Sequence, residues 1–233
     1  MIRPALLLLA PALIVVCAPA SAAEKRVSVG SFDRVRVSGA FEVTHAPGSP
    51  GARIVGDARV IERVDVQVNG TTLTVRYNRQ GWDEQPAAVA TAPVRVVLGS
   101  PSLQSAAVFA GGRLTATRLK GVRVDLSISG AGSIAVADAV ADQVNATVIG
   151  TGTLTLAGRA ARARYVVNGA GRIDAGKLEA GDVSVLMEGP GEIAATARYN
   201  ASVTNSGLGA VSIAGPAKCT VSARAGGPVA CGR

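Results

Sequence analysis

A glycine pair that returns at a nearly constant interval limits what this chain can fold into more than any other feature. It recurs as Ala110-Gly111-Gly112, Gly130-Ala131-Gly132, Gly150-Thr151-Gly152, Gly169-Ala170-Gly171, Gly189-Pro190-Gly191, Gly207-Leu208-Gly209 and Ala225-Gly226-Gly227, at intervals of 20, 20, 19, 20, 18 and 18 residues. A fixed period of this size marks a solenoid, in which one repeat is a single coil that cannot bury its own apolar face.

The pattern inside the coils fixes the type of element. In the five complete coils, take the positions six, four and two before the first glycine and two and four after the second. Of these 25 positions 24 are apolar, and Asn205 is the exception. The interleaved positions are mostly Ser, Thr, Asp, Asn, Arg, Glu and Ala. A period of two predicts strands with one buried face, and a glycine pair in every repeat excludes a helical reading. Each coil therefore reads strand, glycine corner, strand, return segment. Parallel crossovers are almost always right-handed. The predicted fold is all-β, a right-handed parallel β-helix of about 19–20 residues per coil with an N-terminal strand and hairpin cap.

The N-terminal 22 residues read as a signal peptide, with Arg3 as the positive region, Ala5 to Val16 as the apolar stretch and Ala20-Ser21-Ala22 as the cleavage site. The apolar stretch is too short to span a bilayer, and no later transmembrane segment is predicted. Cys17 would be removed with the signal. Residues 23–100 read as N-terminal strands and a capping hairpin continuous with the solenoid, and residues 101–233 as the repeat coils with a C-terminal cap. The hairpin signal is Asn69-Gly70 between Val64-Asp65-Val66-Gln67-Val68 and Leu73-Thr74-Val75. Asn78 to Thr91 reads as an exposed polar loop.

Cys219 and Cys231 fall on inward positions of the last coil. In an oxidising compartment they can pair, and a closed loop of this size contributes roughly 3 kcal/mol. The alternative is two small buried thiols.

The formal charge of +8 falls to +7 when Arg3 is lost. A basic exported protein is suited to an anionic glycan, lipopolysaccharide or an envelope protein as partner. Nucleic acid is not expected, because only three Phe, three Tyr and one Trp are available for base stacking. Arg159, Arg162, Arg164 and Arg172 lie within one coil and form the candidate ligand-binding patch; its alternative is a solvated basic surface. Val166 and Leu186, on outward positions of neighbouring coils, offer a small oligomer contact.

Phe32-Asp33-Arg34-Val35-Arg36-Val37-Ser38-Gly39, Gly56-Asp57, Val68-Asn69-Gly70-Thr71-Thr72-Leu73-Thr74-Val75, Pro101-Ser102-Leu103 and Ser129-Gly130-Ala131-Gly132-Ser133-Ile134 together resemble the GIN-domain family, described as the head domain of autotransporter adhesins. The resemblance covers about residues 30 to 215. It implies a β-helical, exported bacterial protein in the periplasm, at the outer membrane or secreted, with an adhesion-like role and no catalytic residues to transfer. No membrane-barrel translocator is expected in the chain, so self-delivery to the cell surface is not.

Catalytic chemistry finds little support. His45 is the only histidine; beside a Pro/Gly loop it reads as a surface residue. No His/Cys cluster has metal-ligand spacing, and no cofactor is expected. The glycine pairs are not a dinucleotide fingerprint, since no helix follows them. Polysaccharide-active β-helices need clustered carboxylates, and Asp174 with Glu192 is the best candidate pair. Sugar sites also usually use aromatic platforms, and the complete coils contain only Tyr165 and Tyr199. The sequence thus favours a non-enzymatic binding protein over a purely structural envelope protein, and both over an enzyme.

Overall fold

The computed structural model describes residues 23–78, 93–224 and 226–232. The signal peptide and nearly all of the polar loop expected over 78–91 lie outside the described residues. All 25 columnar positions are at most 3% exposed. Period-two patterning has therefore placed one side of every strand in the core, as the fold class requires.

The chain opens with β1 (Ala23–Val27), β2 (Arg34–Ser38), β3 (Phe41–Pro47) and β4 (Gly51–Gly56). The four-residue helix α1 (Ala58–Ile61) follows, and then β5 (Val64–Asn69), β6 (Thr72–Tyr77), β7 (Val94–Ser100), β8 (Ser105–Phe109) and β9 (Arg113–Ala116). The coils continue as β10 (Leu119–Gly130), β11 (Ser133–Gly150), β12 (Thr153–Asn168), β13 (Arg172–Glu188) and β14 (Glu192–Asn205). They close with β15 (Ala210–Ala214), β16 (Lys218–Ala223) and β17 (Val229–Cys231).

The long strands wrap around the axis. In β11, residues 143–149 form a first flank that runs into the glycine corner. Residues 133–136 form the second flank, just beyond the preceding corner, and residues 139–141 form a short third flank. Each flank stacks in parallel on its equivalents: Val124, Val144 and Ala163 on the first, Leu114, Ile134 and Leu154 on the second, and Leu119, Ala139 and Gly158 on the third. The stacked side chains form the columns, with rungs about 4.8 Å apart.

The two glycines of a corner are needed for different reasons. Gly150 has φ +108°, in the left-handed region where a side chain is strained. Gly152 has no such φ, but a Cβ there would lie 2.4 Å from Ile128 Cγ2 on the rung before. The motif therefore encodes both a turn and the close stacking of successive rungs.

Size is balanced along the columns. Tyr165 is fully buried, and the small Ala146 precedes it in its column. Its hydroxyl has no hydrogen-bond partner, and burial pushes its pKa far up. The polar exception, Asn205, is also fully buried. It donates from Nδ2 to the Gly209 carbonyl at 2.8 Å and accepts from the Gly207 N–H at 3.1 Å. A side-chain bracket thus satisfies the last glycine corner from inside.

The N-terminal third does not stack in chain order. β2 lies between β6 and β8, and β3 between β7 and β9, all in parallel. The second strand pair of the chain is therefore seated between two later ones. Beyond it the parallel ladder ends in antiparallel strands: β5 on β6, β4 on β7 and β1 on β4. The outermost strand, β1, carries Glu24, Lys25 and Arg26, charges that discourage another chain from pairing with its edge. The Asn69-Gly70 hairpin joins β5 to β6 with Gly70 at φ +60°.

At the other end, β16 stacks on β14 and β17 on β15. A disulfide joins Cys219 of β16 to Cys231 of β17, with Cα atoms 6.4 Å apart. It ties the first flank to the second in the last rung of the described residues.

Candidate functional site

The outer surface of the coils is a grid whose columns can be read from the register. The four arginines of the candidate patch are all exposed, but the coil distributes them over three flanks. Arg159 is on the third flank, in register with Glu179. Arg172 is on the second flank, where its Nη1 is bonded to Glu192 Oε2. Only Arg162 and Arg164 share a flank, the first. Neither forms an ion pair among the described residues.

Those two arginines sit in ordered polar columns. One runs Arg123, Gln143, Arg162, Asp182, Asn200, Lys218, and the next runs Ser105, Asp125, Asn145, Arg164, Ser184, Ser202, Thr220. Neighbouring rungs are bonded to one another: Asn145 Nδ2 donates to Asp125 Oδ1 at 2.7 Å, Asn200 Nδ2 to Asp182 Oδ1 at 2.8 Å, and Arg123 Nη2 to Gln143 Oε1 at 3.4 Å. Within a rung, Gln143 Nε2 donates to Asn145 Oδ1 at 3.1 Å. Side chains on neighbouring rungs of this flank thus brace one another, while Arg162 and Arg164 take part in none of these bonds.

Val166 and Leu186 are neighbours in the next column, as expected, but they are half-buried between Thr147 and Thr204. Asp174 and Glu192 do not form a pair. Asp174 is in register with Thr155 and Ala194, and its Oδ1 accepts from the Gly176 N–H at 3.3 Å. Glu192 is in the neighbouring column, committed to Arg172. An offset of two residues along the strand, one column, separates them. Among the described residues, no group of three or more His, Cys, Asp or Glu could hold a metal ion.

His45 is fully buried, which corrects the surface placement expected from its neighbouring Pro/Gly loop. It is on an inward position of β3, in register with Leu98 and Ala116. Its Nε2 lies 2.9 Å from Ser100 Oγ, which in turn donates to the Ser102 carbonyl at 3.2 Å. That chain of donors assigns the proton to Nε2 and leaves Nδ1 without a partner. Desolvation holds the His45 pKa below its usual value. The Ser100–His45 pair is sealed from solvent and serves the core.

Of the two aromatic residues in the complete coils, Tyr165 is fully buried and Tyr199 is 63% exposed on the corner between the third and first flanks. The short interval between the last complete glycine pairs signalled an irregular coil there, but not its location. One rung further on, Gly215, Pro216 and Ala217 line, with Gly232, an open depression of about 510 Å³.

A family profile described as "Putative auto-transporter adhesin, head GIN domain" matches residues 31–217. No curated protein matches the chain. Among solved structures it is similar to a "putative adhesin" from Bacteroides fragilis, at 18% identity and TM-score 0.81, covering 92% of this chain and 97% of that one. A "putative adhesin" from Parabacteroides distasonis is similar at 19% identity and TM-score 0.67, over 91% and 97% of the two chains. A "Putative lipid binding protein" from the same species shares 15% identity with TM-score 0.69, over 90% and 96%. Likeness at such identity speaks for the fold alone. With the repeat, the coil and the profile in agreement over the same residues, the chain belongs to the GIN-domain family of auto-transporter adhesin heads.

Proposed function

We propose that this protein is an exported, non-enzymatic binding module of the adhesin type, and that its first flank is the working surface. The carrying observation is the pair Arg162 and Arg164, exposed and without ion-pair partners among the described residues, set in a grid of side chains that brace one another. Such a surface matches a long anionic polymer better than a small substrate, because charge and hydrogen-bonding groups repeat at rung spacing along the axis. Lipopolysaccharide and acidic envelope polysaccharide are the partners of this chemistry. The leader read over residues 1–22 supports delivery to the periplasm, the outer membrane or the medium. Arg159 and Arg172 contribute to the overall positive field from their own flanks.

The test is binding to immobilised lipopolysaccharide across a salt series. Wild type is expected to bind with an affinity that falls as salt rises. Arg162→Glu with Arg164→Glu is expected to weaken binding about tenfold or more at low salt. Binding insensitive to both salt and the double reversal would refute the first flank as the contact surface.

A further inference from the structure

The register shifts at several corners of the coil, and the shift between the third and first flanks of β13 and β14 is the one that presents an aromatic ring. Between β13 and β14 the register runs Ala180 to Ala197 and then Asp182 to Asn200. Gly181 alone therefore faces two residues, Arg198 and Tyr199, and the strand bulges outward. The rung before is regular there, with Ala160 on Ala180 and Arg162 on Asp182. Bulges that re-aim a side chain gather at functional sites.

The bulge builds a platform. The Tyr199 ring rests over Gly181, with Cδ2 and Cε2 at 3.4 and 3.5 Å from where a Cβ would stand. A Cβ there would stand in ordinary contact with the ring; what requires glycine is the rung before, whose Ala161 carbonyl oxygen lies 2.6 Å from that position. The Arg198 guanidinium is 5.9 Å from the ring centroid. The neighbouring corner residue of the rung before, Ala161, is small. A large aromatic ring is thus held out, supported from beneath and left open to solvent, where burial gives it no structural role.

Polar groups that can serve a sugar line the column beside it. Arg162, Asp182, Asn200 and Lys218 occupy four consecutive rungs in the column beside the corner, about 14 Å from end to end at rung spacing. The Asn200–Asp182 bond uses one oxygen of the carboxylate and one amide hydrogen. Asp182 Oδ2 and Asn200 Oδ1 remain as acceptors for hydroxyl groups. Arg162, Arg198 and Lys218 outnumber the single carboxylate, so the site as a whole attracts a negative group.

We propose that Tyr199, Arg162, Asp182, Asn200 and Lys218 form a saccharide site that stacks a sugar ring on Tyr199 and takes a carboxylate-bearing sugar, a uronic or sialic acid. This rests on the reading of the protein as a glycan-binding adhesin and narrows it to one place and one class of residue in the glycan. Asp182 and Asn200 accept from ring hydroxyls, Lys218 on the rung beyond Asn200 receives the carboxylate, and Arg162 at the other end of the column adds to the positive field. Both charge and ring contact are required, which separates this site from a general basic surface.

The probes are a galacturonic acid tetramer and 3′-sialyllactose, with cellotetraose as the neutral control. Binding is measured by calorimetry, and ring contact by saturation-transfer NMR. One of the two acidic probes is expected to bind more tightly than cellotetraose, and which one does so distinguishes a polyuronide from a sialylated source. Tyr199→Ala is expected to lose about tenfold in affinity and the NMR contact, while Tyr199→Phe retains both. Lys218→Ala is expected to weaken the acidic probe several-fold. Circular dichroism of each variant checks that the coil is intact. Equal binding by wild type and Tyr199→Ala, or no binding of either acidic probe, overturns the site. If Tyr199→Ala binds neither acidic probe yet keeps full affinity for lipopolysaccharide, the site stands and the polymer engages the flank elsewhere. If wild type binds lipopolysaccharide but no acidic oligosaccharide, this site falls and the broader adhesin reading survives. If it binds none of them, both fall.

Discussion

Replacing glycine by alanine should give opposite results at two positions only a few residues apart. At Gly171 the backbone does not require glycine, since its φ is outside the left-handed region. The obstacle is the rung before: a Cβ would lie 2.5 Å from Val148 Cγ1 and 3.0 Å from the Gly152 carbonyl oxygen. Val148 is fully buried, and its β-branched side chain has little freedom to turn away. Overpacking of this kind costs about 1–3 kcal/mol, partly offset by the ~0.4–1 kcal/mol gained from a stiffer unfolded chain. Gly171→Ala should therefore destabilise by about 2 kcal/mol. At Gly176 the nearest atom is Asp174 Oδ1, 3.6 Å away, and φ is again ordinary. Gly176→Ala should be neutral or stabilise by up to about 1 kcal/mol. The decisive step is a rescue. Val148→Ala removes the obstructing atom and on its own costs about 2–3 kcal/mol of lost burial. In that background Gly171→Ala should cost clearly less, with only the backbone oxygens of Gly152 and Gly150 at 3.0 and 3.2 Å left to give way, a coupling of about 1–2 kcal/mol in a double-mutant cycle read by urea unfolding. Strictly additive losses would refute the Val148 side chain as the obstacle that the second glycine avoids.

Two further outcomes follow from the core and the end of the coil. Reduction of the Cys219–Cys231 bridge, or Cys219→Ser with Cys231→Ser, should cost about 3 kcal/mol, with faster amide exchange concentrated in β16 and β17; unchanged exchange there would refute its role in closing the end. His45 is held neutral in the folded protein, so the unfolded chain binds the proton more readily. Its contribution to stability is present above the ordinary histidine pKa and is lost as pH falls below about 6.5 towards the lowered folded value. His45→Gln should be less stable at pH 7 but flatter between pH 7 and 5, and parallel profiles for the two proteins would contradict that assignment.

The sequence made the columns legible because solenoid physics is local. The same inward position faces the same neighbours in every rung, so Val124, Val144 and Ala163 can be aligned without knowing anything distant. The N-terminal third defeated that logic. Nothing in Arg34 to Ser38 reports that β6 and β8 are its neighbours on either side, because alternation encodes a buried face and not a partner. His45 was misplaced for a related reason. Its neighbouring loop is exposed, but β3 continues to Pro47 and keeps position 45 inward. On the surface, arginines close in sequence proved to face three directions, since a coil turns its corners within a few residues. Tyr199 needed the register itself, because a one-residue bulge is visible only when two strands are laid side by side.

The seating of β2 and β3 between later strands has a consequence for how the chain reaches its final form. A simple solenoid can begin winding as soon as its first turns emerge, each new turn laid on the last. Here the earliest turn must wait until residues on both sides of it, as far on as Ala116, are at hand. Winding from the leading end is thereby blocked, and the chain stays open and threadable for its first hundred residues. The regular turns from β10 onward carry no such requirement, and they are where assembly is free to start.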